Sequence, residues 1–340
     1  MGTSTDRFYA GLDIGGTTIK SVLVNLNGEQ ASDFVEVPSR VAVGYEATIV
    51  QLNEALLRLA ASAGTTRDTI RAAGIDVPAA NSGGVIWARA NLAQDWVGKN
   101  IQNIFSERAG MPVYVTNDGN AAALGEYMVR RKHLGSLLYV APGTGLAGGL
   151  VTSGGKIYEG ANGLALEVGH ISAPFLEDDG ALPPCSCGWT GCVEAWVSLV
   201  ALRRRLRLEL AKPQWAGHPL NDPAMSIEDK AFKLRNYADK DDALAIQLFK
   251  QQGFIFGYAI ADLVRVFDPG LVVVGGGLAE ASFRDRYMGW VMEGFKERAW
   301  PIYVTSPIDE TVTTRFEWAT AGDSAGALGM GFAALEMFRD

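Results

Sequence analysis

Residues 8–24 of this 340-residue chain read FYAGLDIGGTTIKSVLV, two apolar runs separated by a short polar turn. The runs Phe8–Ile14 and Ile19–Val24 are rich in the β-branched, aromatic and aliphatic side chains that favour strands. The turn between them, Gly15-Gly16-Thr17-Thr18, lets the chain reverse, because glycine tolerates the backbone angles of a tight turn. The stretch therefore predicts a β-hairpin whose corner is polar and rich in glycine.

Strand-like and helix-like segments alternate over the rest of the chain. Strands are expected at residues 72–77, 113–115, 137–141 and 271–274, and helices at 47–63, 121–130, 199–210, 225–237, 242–267 and 324–338. This alternation predicts an α/β architecture. Hairpin-like starts in both halves indicate two related lobes. We expect a small lobe over residues 1–120, onto which the C-terminal helix 324–340 packs back, and a large lobe over residues 121–323.

The composition is that of an ordinary globular protein with an acidic balance. The chain carries 30 Lys and Arg against 38 Asp and Glu, a net charge of −8, which repels nucleic acid unless basic residues are segregated. The basic run Arg203-Arg204-Arg205 has no aromatic companions and is interpreted as a solvated helix face. Apolar runs such as Leu271–Val274 are too short to span a bilayer. No targeting segment is recognised, so we expect a cytoplasmic protein without a membrane or nucleic-acid partner.

Three glycine-rich turns follow predicted strands: Gly15-Gly16-Thr17-Thr18, Gly143-Thr144-Gly145 and Gly275-Gly276-Gly277. Glycine lets backbone N–H groups approach an anion, and threonine adds a hydroxyl donor, so the set indicates a polyphosphate ligand. The chain has no Gly-x-x-x-x-Gly-Lys-Ser/Thr pattern, which excludes the P-loop class. Residues 143–148 match the Gly-x-Gly-x-x-Gly pattern of dinucleotide-binding proteins. That pattern requires a helix after the turn, whereas a hairpin is expected here.

All three cysteines fall in the stretch 185–192, which reads CSCGWTGC, and a histidine lies shortly upstream. Three thiolates and one imidazole make a closed tetrahedral shell for zinc, with no position left for a reacting water. A disulfide is the alternative, although it would leave one cysteine unpaired. The sequence therefore predicts a Zn²⁺ that shapes a site, held by His170, Cys185, Cys187 and Cys192.

Acidic side chains lie close to the predicted turns and to the zinc residues. Asp118 follows the strand at 113–115 and precedes a helix. There its carboxylate could accept a proton from a substrate hydroxyl, or it could simply cap the helix. If zinc draws His170 to the cysteines, Glu167 and Glu194 come to the same place. Two carboxylates and an imidazole could then bind the hydroxyls of a polyol.

These motifs resemble those of the ROK family (repressors, open reading frames, kinases), which comprises sugar kinases and sugar-responsive repressors. The resemblance implies the two-lobed actin/hexokinase-like fold, a ribonuclease H-like α/β fold with an ATP cleft between the lobes. It covers essentially the whole chain, and its most specific part is Glu-x-Gly-His followed by Cys-x-Cys-Gly-x-x-Gly-Cys-x-Glu over residues 167–194. Asp13–Thr17 resembles the first phosphate motif of the family, Gly143–Gly145 the second, and Gly275–Gly277 its adenosine motif.

The resemblance implies a role for each matching residue. Asp118 would be the catalytic base, and Asp13 would lie near Mg²⁺. The sugar would be bound by Asn91, Asn117, Asp118, Glu167, His170 and Glu194. ATP would be bound by Asp13, Gly15, Gly16, Thr17, Thr18, Lys20, Gly143, Thr144, Gly145, Gly275, Gly276 and Gly277.

The implied activity is ATP-dependent phosphorylation of a hexose, with the 6-hydroxyl of glucose as the first candidate acceptor. The chain departs from the family pattern near the expected sugar pocket, where Ala79 follows Pro78, Leu166 precedes Glu167, and the stretch from His170 to Cys185 is long. N-acetylmannosamine, N-acetylglucosamine, fructose, allose and a cyclic polyol such as inositol therefore stay open as acceptors.

Two alternatives lie outside the kinase class. One is a catalytically inactive sugar-binding regulator. The other, a DNA-binding repressor, is not expected, because the first phosphate motif begins only a few residues after Met1. A homodimer is the expected assembly.

Overall fold

The computed structural model describes residues 7–88, 92–130, 135–308, 311 and 313–339. The strands in this part of the chain are β1 (Phe8–Ile14), β2 (Thr18–Val24), β3 (Val35–Pro38), β4 (Ile70–Val77), β5 (Asn81–Ser82), β6 (Val85–Ile86), β7 (Val113–Asn117), β8 (Leu137–Pro142), β9 (Leu146–Val151), β10 (Leu271–Val274) and β11 (Phe316–Trp318). The α-helices are α1 (Tyr45–Ser62), α2 (Ile101–Ala109), α3 (Asp118–Val129), α4 (Glu194–Val197), α5 (Leu199–Leu210), α6 (Ile227–Ala238), α7 (Ala243–Phe267), α8 (Arg284–Arg298), α9 (Pro301–Val304) and α10 (Ala325–Phe338). The predicted α/β architecture is confirmed.

The chain forms two compact units. The first comprises Met1–Tyr139, Gly149–Leu166 and Ala319–Asp340, and the second comprises Val140–Gly148 and Glu167–Trp318. The sequence placed residues 121–323 in a single lobe. In the structure, however, helix α3 and residues 149–166 pack with the first unit. The physical reason is that α3 buries one side against α10, which belongs to that unit.

A five-stranded sheet with the order β3-β2-β1-β4-β7 lies at the centre of the first unit. Strands β1 and β2 form the antiparallel hairpin expected for residues 8–24, and β1, β4 and β7 run parallel. Helix α1 packs on this sheet through an apolar stripe that includes Ile49, Leu52, Leu56 and Leu59. The parallel arrangement brings the carboxyl ends of β1, β4 and β7 to one edge, where Asp13, Asp76 and Asn117 lie.

Helix α10 approaches the sheet and α3 so closely that only glycine fits at the contacts. A Cβ added at Gly11 of β1 would overlap the backbone carbonyl of Ala327, and one at Gly74 of β4 would overlap that of Met330. Gly329 of α10 meets the backbone of Ala121 in the same way. The C-terminal helix is therefore an integral part of the first unit.

A buried carboxylate ties α3 to the segment before α10. Glu126 is 0% exposed, and it accepts hydrogen bonds from the backbone N–H groups of Thr320, at 3.0 Å, and Ala321, at 2.8 Å. Arg130 forms an ion pair with it. A buried carboxylate needs such donors, because an unpaired one would be costly. Nothing in the sequence distinguishes Glu126 from an exposed helix acid.

Gly329→Ala should destabilise the first unit. The added methyl group would press on the backbone of Ala121, and overpacking of this kind costs about 1–3 kcal/mol. The matched control is Gly289→Ala, a helix glycine of α8 whose Cβ would meet nothing within 4 Å. That variant should instead gain about 0.5–1 kcal/mol, because alanine is the better helix former. Urea unfolding of both variants measures the signs, and equal effects at the two glycines would contradict the close-packing argument.

The second unit contains a long helix pair and a four-stranded sheet. Helices α7 and α8 pack face to face, with Gly257 and Gly294 each at a close approach to the backbone of the other helix. The sheet has the order β11-β10-β8-β9, and β8 and β9 are divided between the two units. Although α7 has 25 residues, no helix in the described residues is both long and apolar enough to cross a membrane.

Candidate active site

The glycine-rich corner of the β1–β2 hairpin is open to solvent. The Gly15 N–H donates to the Thr18 carbonyl at 2.9 Å and closes the turn. Gly16 and Thr17 at its tip are exposed, and a Cβ at Gly16 would meet nothing within 4 Å. Lys20, two residues beyond the turn, forms an ion pair with Asp323 at 2.7 Å. The tip therefore leaves Gly16 and Thr17 accessible to solvent, and phosphate binding by their backbone N–H groups stays a prediction.

Asp118 begins α3, but it does not cap the helix. The cap is Asn117, whose side chain accepts the N–H of Asn120 at 2.7 Å. The Asp118 carboxylate accepts the neighbouring Gly119 N–H at 2.9 Å, and its side chain is exposed. The residue that caps α3 is thus Asn117 and not Asp118. The carboxylate of Asp118 therefore stays available to accept a proton.

Surrounding protein raises the pKa of Asp118 above its ordinary value, because it removes part of the water that would solvate the charge. Hydrogen bonds from the backbone at Gly119 and at Asp118 itself oppose this rise. Since the side chain still reaches solvent, part of its hydration is retained. An aspartate with a raised pKa is a stronger base than an ordinary one, which suits proton abstraction.

Asp13, at the end of β1, also has a perturbed pKa. Burial raises its pKa to about 6. The neighbouring Asp76 carboxyl group acts in the opposite direction, and the nearby charges have smaller effects, with Asp118 raising and Lys20 lowering the pKa of Asp13. Asp76 is completely buried and was not recognised in the sequence, where it is one acid inside the apolar run 72–77.

In the second unit, the four predicted zinc residues converge. The ligand atoms of His170, Cys185, Cys187 and Cys192 all lie within 4.8 Å of one another. The Sγ of Cys185 is 3.6 Å from Nδ1 of His170, and the Sγ atoms of Cys187 and Cys192 are 3.7 Å apart. Separations of this size are those of ligands on one tetrahedral ion with bonds of about 2.0–2.3 Å. The donor set therefore fits Zn²⁺.

Glu194 links the cysteine loop to the second glycine turn. Its Oε1 accepts the hydroxyl of Ser186 at 2.7 Å, and its Oε2 accepts the N–H of Leu146 at 3.0 Å. A Cβ at Gly145 would lie 2.6 Å from Oε2. Glycine at 145 thus makes room for the carboxylate, a role that the sequence did not reveal.

Glu167 and Leu166 lie where the chain passes from the first unit to the second. Glu167 is exposed. It precedes the short 3-10 turn Val168–His170, which presents the imidazole of His170. Leu166 has a positive φ of 67°, a left-handed conformation that favours glycine. The leucine that departs from the family pattern therefore occupies a position where glycine would be less strained.

The other two glycine turns lie side by side at the ends of β8 and β10. The Gly143 N–H donates to the Gly145 carbonyl at 2.9 Å. Gly276 has a φ of 75°, and its Cβ would overlap the carbonyl of Pro142. Strand β9 follows the Gly143 turn directly, so the structure lacks the helix that a dinucleotide-binding pattern needs. Thr144, between the two glycines of the first turn, is exposed.

Asn91, predicted to bind the sugar, lies outside the described residues. Of the remaining predicted residues, the first unit holds Asp13, Gly15, Gly16, Thr17, Thr18, Lys20, Asn117 and Asp118, and the second holds Gly143, Thr144, Gly145, Glu167, His170, Cys185, Cys187, Cys192, Glu194, Gly275, Gly276 and Gly277. Within each unit they lie at strand ends and in the cysteine loop.

The sequence and the fold of this chain are similar to those of known proteins. The ROK family model matches residues 9–336. The glucokinase of Halalkalibacterium halodurans is 29% identical over 96% of this chain and 95% of its own length. A putative xylose repressor of a Caldicellulosiruptor strain is 31% identical over 80% of this chain and 66% of its own length. The crystal structure of a Streptomyces griseus ROK glucokinase in complex with glucose and AMPPNP has a TM-score of 0.72 and 27% identity, and the match covers 97% of this chain and 99% of that one.

Proposed function

This chain belongs to the ROK family and has the two-lobed actin/hexokinase-like fold, and from that premise we propose that it is an ATP-dependent sugar kinase. The observation that carries the proposal is the Asp118 carboxylate, which is exposed at the start of α3 and relieved of capping by Asn117. The first candidate acceptor is the 6-hydroxyl of glucose, supported by relatives named as glucokinases.

Asp118 would act as the general base. It would take the proton of the attacking hydroxyl while that oxygen forms its bond to the γ-phosphorus and the bond from phosphorus to the leaving ADP oxygen breaks. The proton goes to a carboxylate oxygen of Asp118, and the products are a sugar phosphate and ADP. Asn117, the neighbouring cap, would use its amide N–H group to bind a sugar hydroxyl, because only its oxygen is engaged in the cap.

The glycine turns would bind the nucleotide. Backbone N–H groups of Gly15–Thr18 and Gly143–Gly145 would hold phosphate oxygens, with the hydroxyls of Thr17, Thr18 and Thr144 as further donors. Gly275–Gly277 would contact the adenosine, and Lys20 and Asp13 lie close to the first turn. Bound Mg²⁺ would supply positive charge that offsets the phosphates.

The sugar would be bound by the acids and the imidazole around the cysteine loop. Zn²⁺ held by His170 and the three cysteines would fix the loop and supply no reacting water. Glu194 is held by Ser186 and Leu146, so its carboxylate is oriented before a substrate arrives. Glu167 would provide a second carboxylate for sugar hydroxyls.

Glu194→Ala should raise the KM for the sugar about 10- to 100-fold, the effect of losing a hydrogen bond to a charged group. The KM for ATP should rise less, because Glu194 holds the Leu146 N–H beside the Gly143–Gly145 turn but would itself contact only the sugar. The control is Glu297→Ala, which removes an exposed carboxylate from α8 of the same unit. An unchanged sugar KM in Glu194→Ala would remove this residue from the sugar site.

The direct test is ADP release from ATP and Mg²⁺ across a panel of hexoses, N-acetylhexosamines and inositols. Turnover with one member supports the kinase assignment and identifies the acceptor. N-acetylmannosamine stays in the panel because kinases for it are among the relatives, and N-acetylglucosamine, fructose, allose and inositol complete it. No turnover with any sugar, with binding of one by calorimetry, would favour a sugar-binding regulator.

The same proposal includes a homodimer in the cytoplasm, with sugar and ATP as its small-molecule partners. A regulator that binds DNA is the second candidate, because a repressor is among the relatives. The net charge of −8 opposes binding to a polyanion. A gel-shift experiment with and without sugar distinguishes the two.

A further inference from the structure

Asp13 and Asp76 are direct neighbours across the first sheet. They are paired in the parallel register of β1 and β4, so both side chains leave the same face at the same level. Lys20 of β2 is paired with Asp13 from the other side, and Thr116 of β7 is paired with Asp76. Two carboxyl groups therefore lie side by side in a row of polar residues.

The surroundings of Asp76 disfavour its ionised form. It is 0% exposed, and no described donor forms a hydrogen bond of good geometry with either of its carboxyl oxygens. The Ile14 amide stabilises its charge, but this is the weakest of the influences on its pKa. Burial is the strongest and raises the pKa well above the ordinary value, followed by the negative charges of Asp13 and Asp118. A buried carboxylate without donors takes up a proton.

The space around the pair is closed on the side of α10. A Cβ at Gly326 would lie 2.7 Å from Oδ2 of Asp13 and 3.1 Å from Oδ2 of Asp76. Both carboxyl groups therefore face the first turn of that helix. The two acids differ in access to water, because Asp13 is half-buried and Asp76 is fully buried.

We propose that Asp76 is a neutral carboxylic acid whose O–H donates a hydrogen bond to the Asp13 carboxylate, and that this bond positions Asp13 beside the Gly15–Thr18 turn. The proposal rests on the proposed function, which assigns that turn to ATP. The proton resides on Asp76 because this group is the more deeply buried, whereas Asp13 reaches solvent and has Lys20 on its other side. The pair then carries one negative charge next to the phosphates instead of two.

Other charged groups around the pair act on it without bonding to Asp76. Lys20 from β2 favours the ionised form of Asp13, and Asp118 from α3 and Asp323 from the segment before α10 oppose it. Lys20 is itself engaged by Asp323 at 2.7 Å. The Lys20 ammonium is therefore shared between two acids, and the neighbouring Asp76 carboxyl group is the strongest of the influences that lower the pKa of Asp13.

Infrared difference spectra between the wild-type protein and Asp76→Asn at neutral pH test the protonation directly and need no substrate. The wild type should show the C=O band of a protonated carboxylic acid that the variant lacks. Asp68→Asn, a change at an exposed acid of the same unit, should remove no such band. Absence of the band in the wild type overturns the proposal.

Turnover tests the positioning role. Asp76→Ala removes the donor and should lower kcat about 10-fold or more, the effect of one hydrogen bond to a charged group. Asp76→Asn should restore most of this loss, because its amide N–H can donate to Asp13. The wild type should lose activity at alkaline pH as Asp76 gives up its proton, and Asp76→Asn should not, because an amide does not titrate.

An asparagine variant as impaired as the alanine variant would show that a hydrogen-bond donor at position 76 does not position Asp13. The same alkaline limb in the wild type and in Asp76→Asn would show that the proton of Asp76 does not control activity. Either result would overturn the positioning role. A protein that phosphorylates no sugar would fail the proposed function, while the infrared measurement would still decide whether Asp76 carries a proton.

Discussion

Asp118→Asn should lower kcat for sugar phosphorylation at least about 100-fold, the smaller end of what a general base contributes. Asparagine keeps the shape of the side chain but cannot accept the hydroxyl proton at neutral pH. The sugar KM should change little by comparison, since the amide can still form hydrogen bonds. Because protein surroundings raise the pKa of Asp118, activity should begin to fall on acidification at a higher pH than an ordinary aspartate would give.

The Asp118→Asn variant tests the catalytic role separately from stability, because the Asp118 side chain contributes little to the fold. The cap of α3 is Asn117, and the Asp118 side chain is exposed, so the melting temperature should stay close to that of the wild type. Asp68→Asn makes the same chemical change at an exposed acid of the first unit and should keep full turnover. Near-normal turnover in Asp118→Asn would remove this residue from the role of base.

Local sequence signals predicted the elements with strong periodicity. The hairpin of residues 8–24, the strand at 271–274 and helices α5 and α7 lie within a residue or two of their expected bounds. Helices α2 and α8 were not predicted. The sequence of α8, RDRYMGWVMEGFKER, carries charges near both ends, and its buried residues include Tyr287, Trp290 and Val291. Their burial depends on α7, which local periodicity cannot indicate.

The residues of the candidate site could likewise be predicted only where the signal lies in a short stretch of sequence. The cysteine cluster could be predicted because its residues are close in the sequence, and a short loop brings three thiols together. Asp76 could not, since its importance comes from the register of β4 against β1. The contact of Glu194 with Leu146 and Gly145 spans almost fifty residues and likewise depends on the fold. Pairings between distant residues are set by tertiary structure, so one sequence does not disclose them.

Cys187→Ala should release most of the zinc, lower the melting temperature by several degrees and raise the sugar KM at least about 10-fold. Structural zinc sites contribute about 10–16 kcal/mol of apparent binding free energy in zinc-finger peptides, and removing one of four ligands forfeits much of it. The loop would then lose the constraint that holds His170 beside Cys185, and Ser186 would no longer fix Glu194. Metal analysis, thermal melting and sugar kinetics on the same preparation measure the three effects.

The matched control is Thr190→Ala, which changes an exposed residue of the same loop that offers no thiol or imidazole to the metal. It should keep its zinc, its melting temperature and its sugar KM. Acidification provides an independent check: thiolates and a neutral imidazole are the binding forms, so protons compete with zinc and the wild type should release it as the pH falls. Wild-type protein that contains no zinc, or a Cys187→Ala variant that retains it, would refute the metal site. Loss of zinc with an unchanged sugar KM would keep the site but separate it from sugar binding.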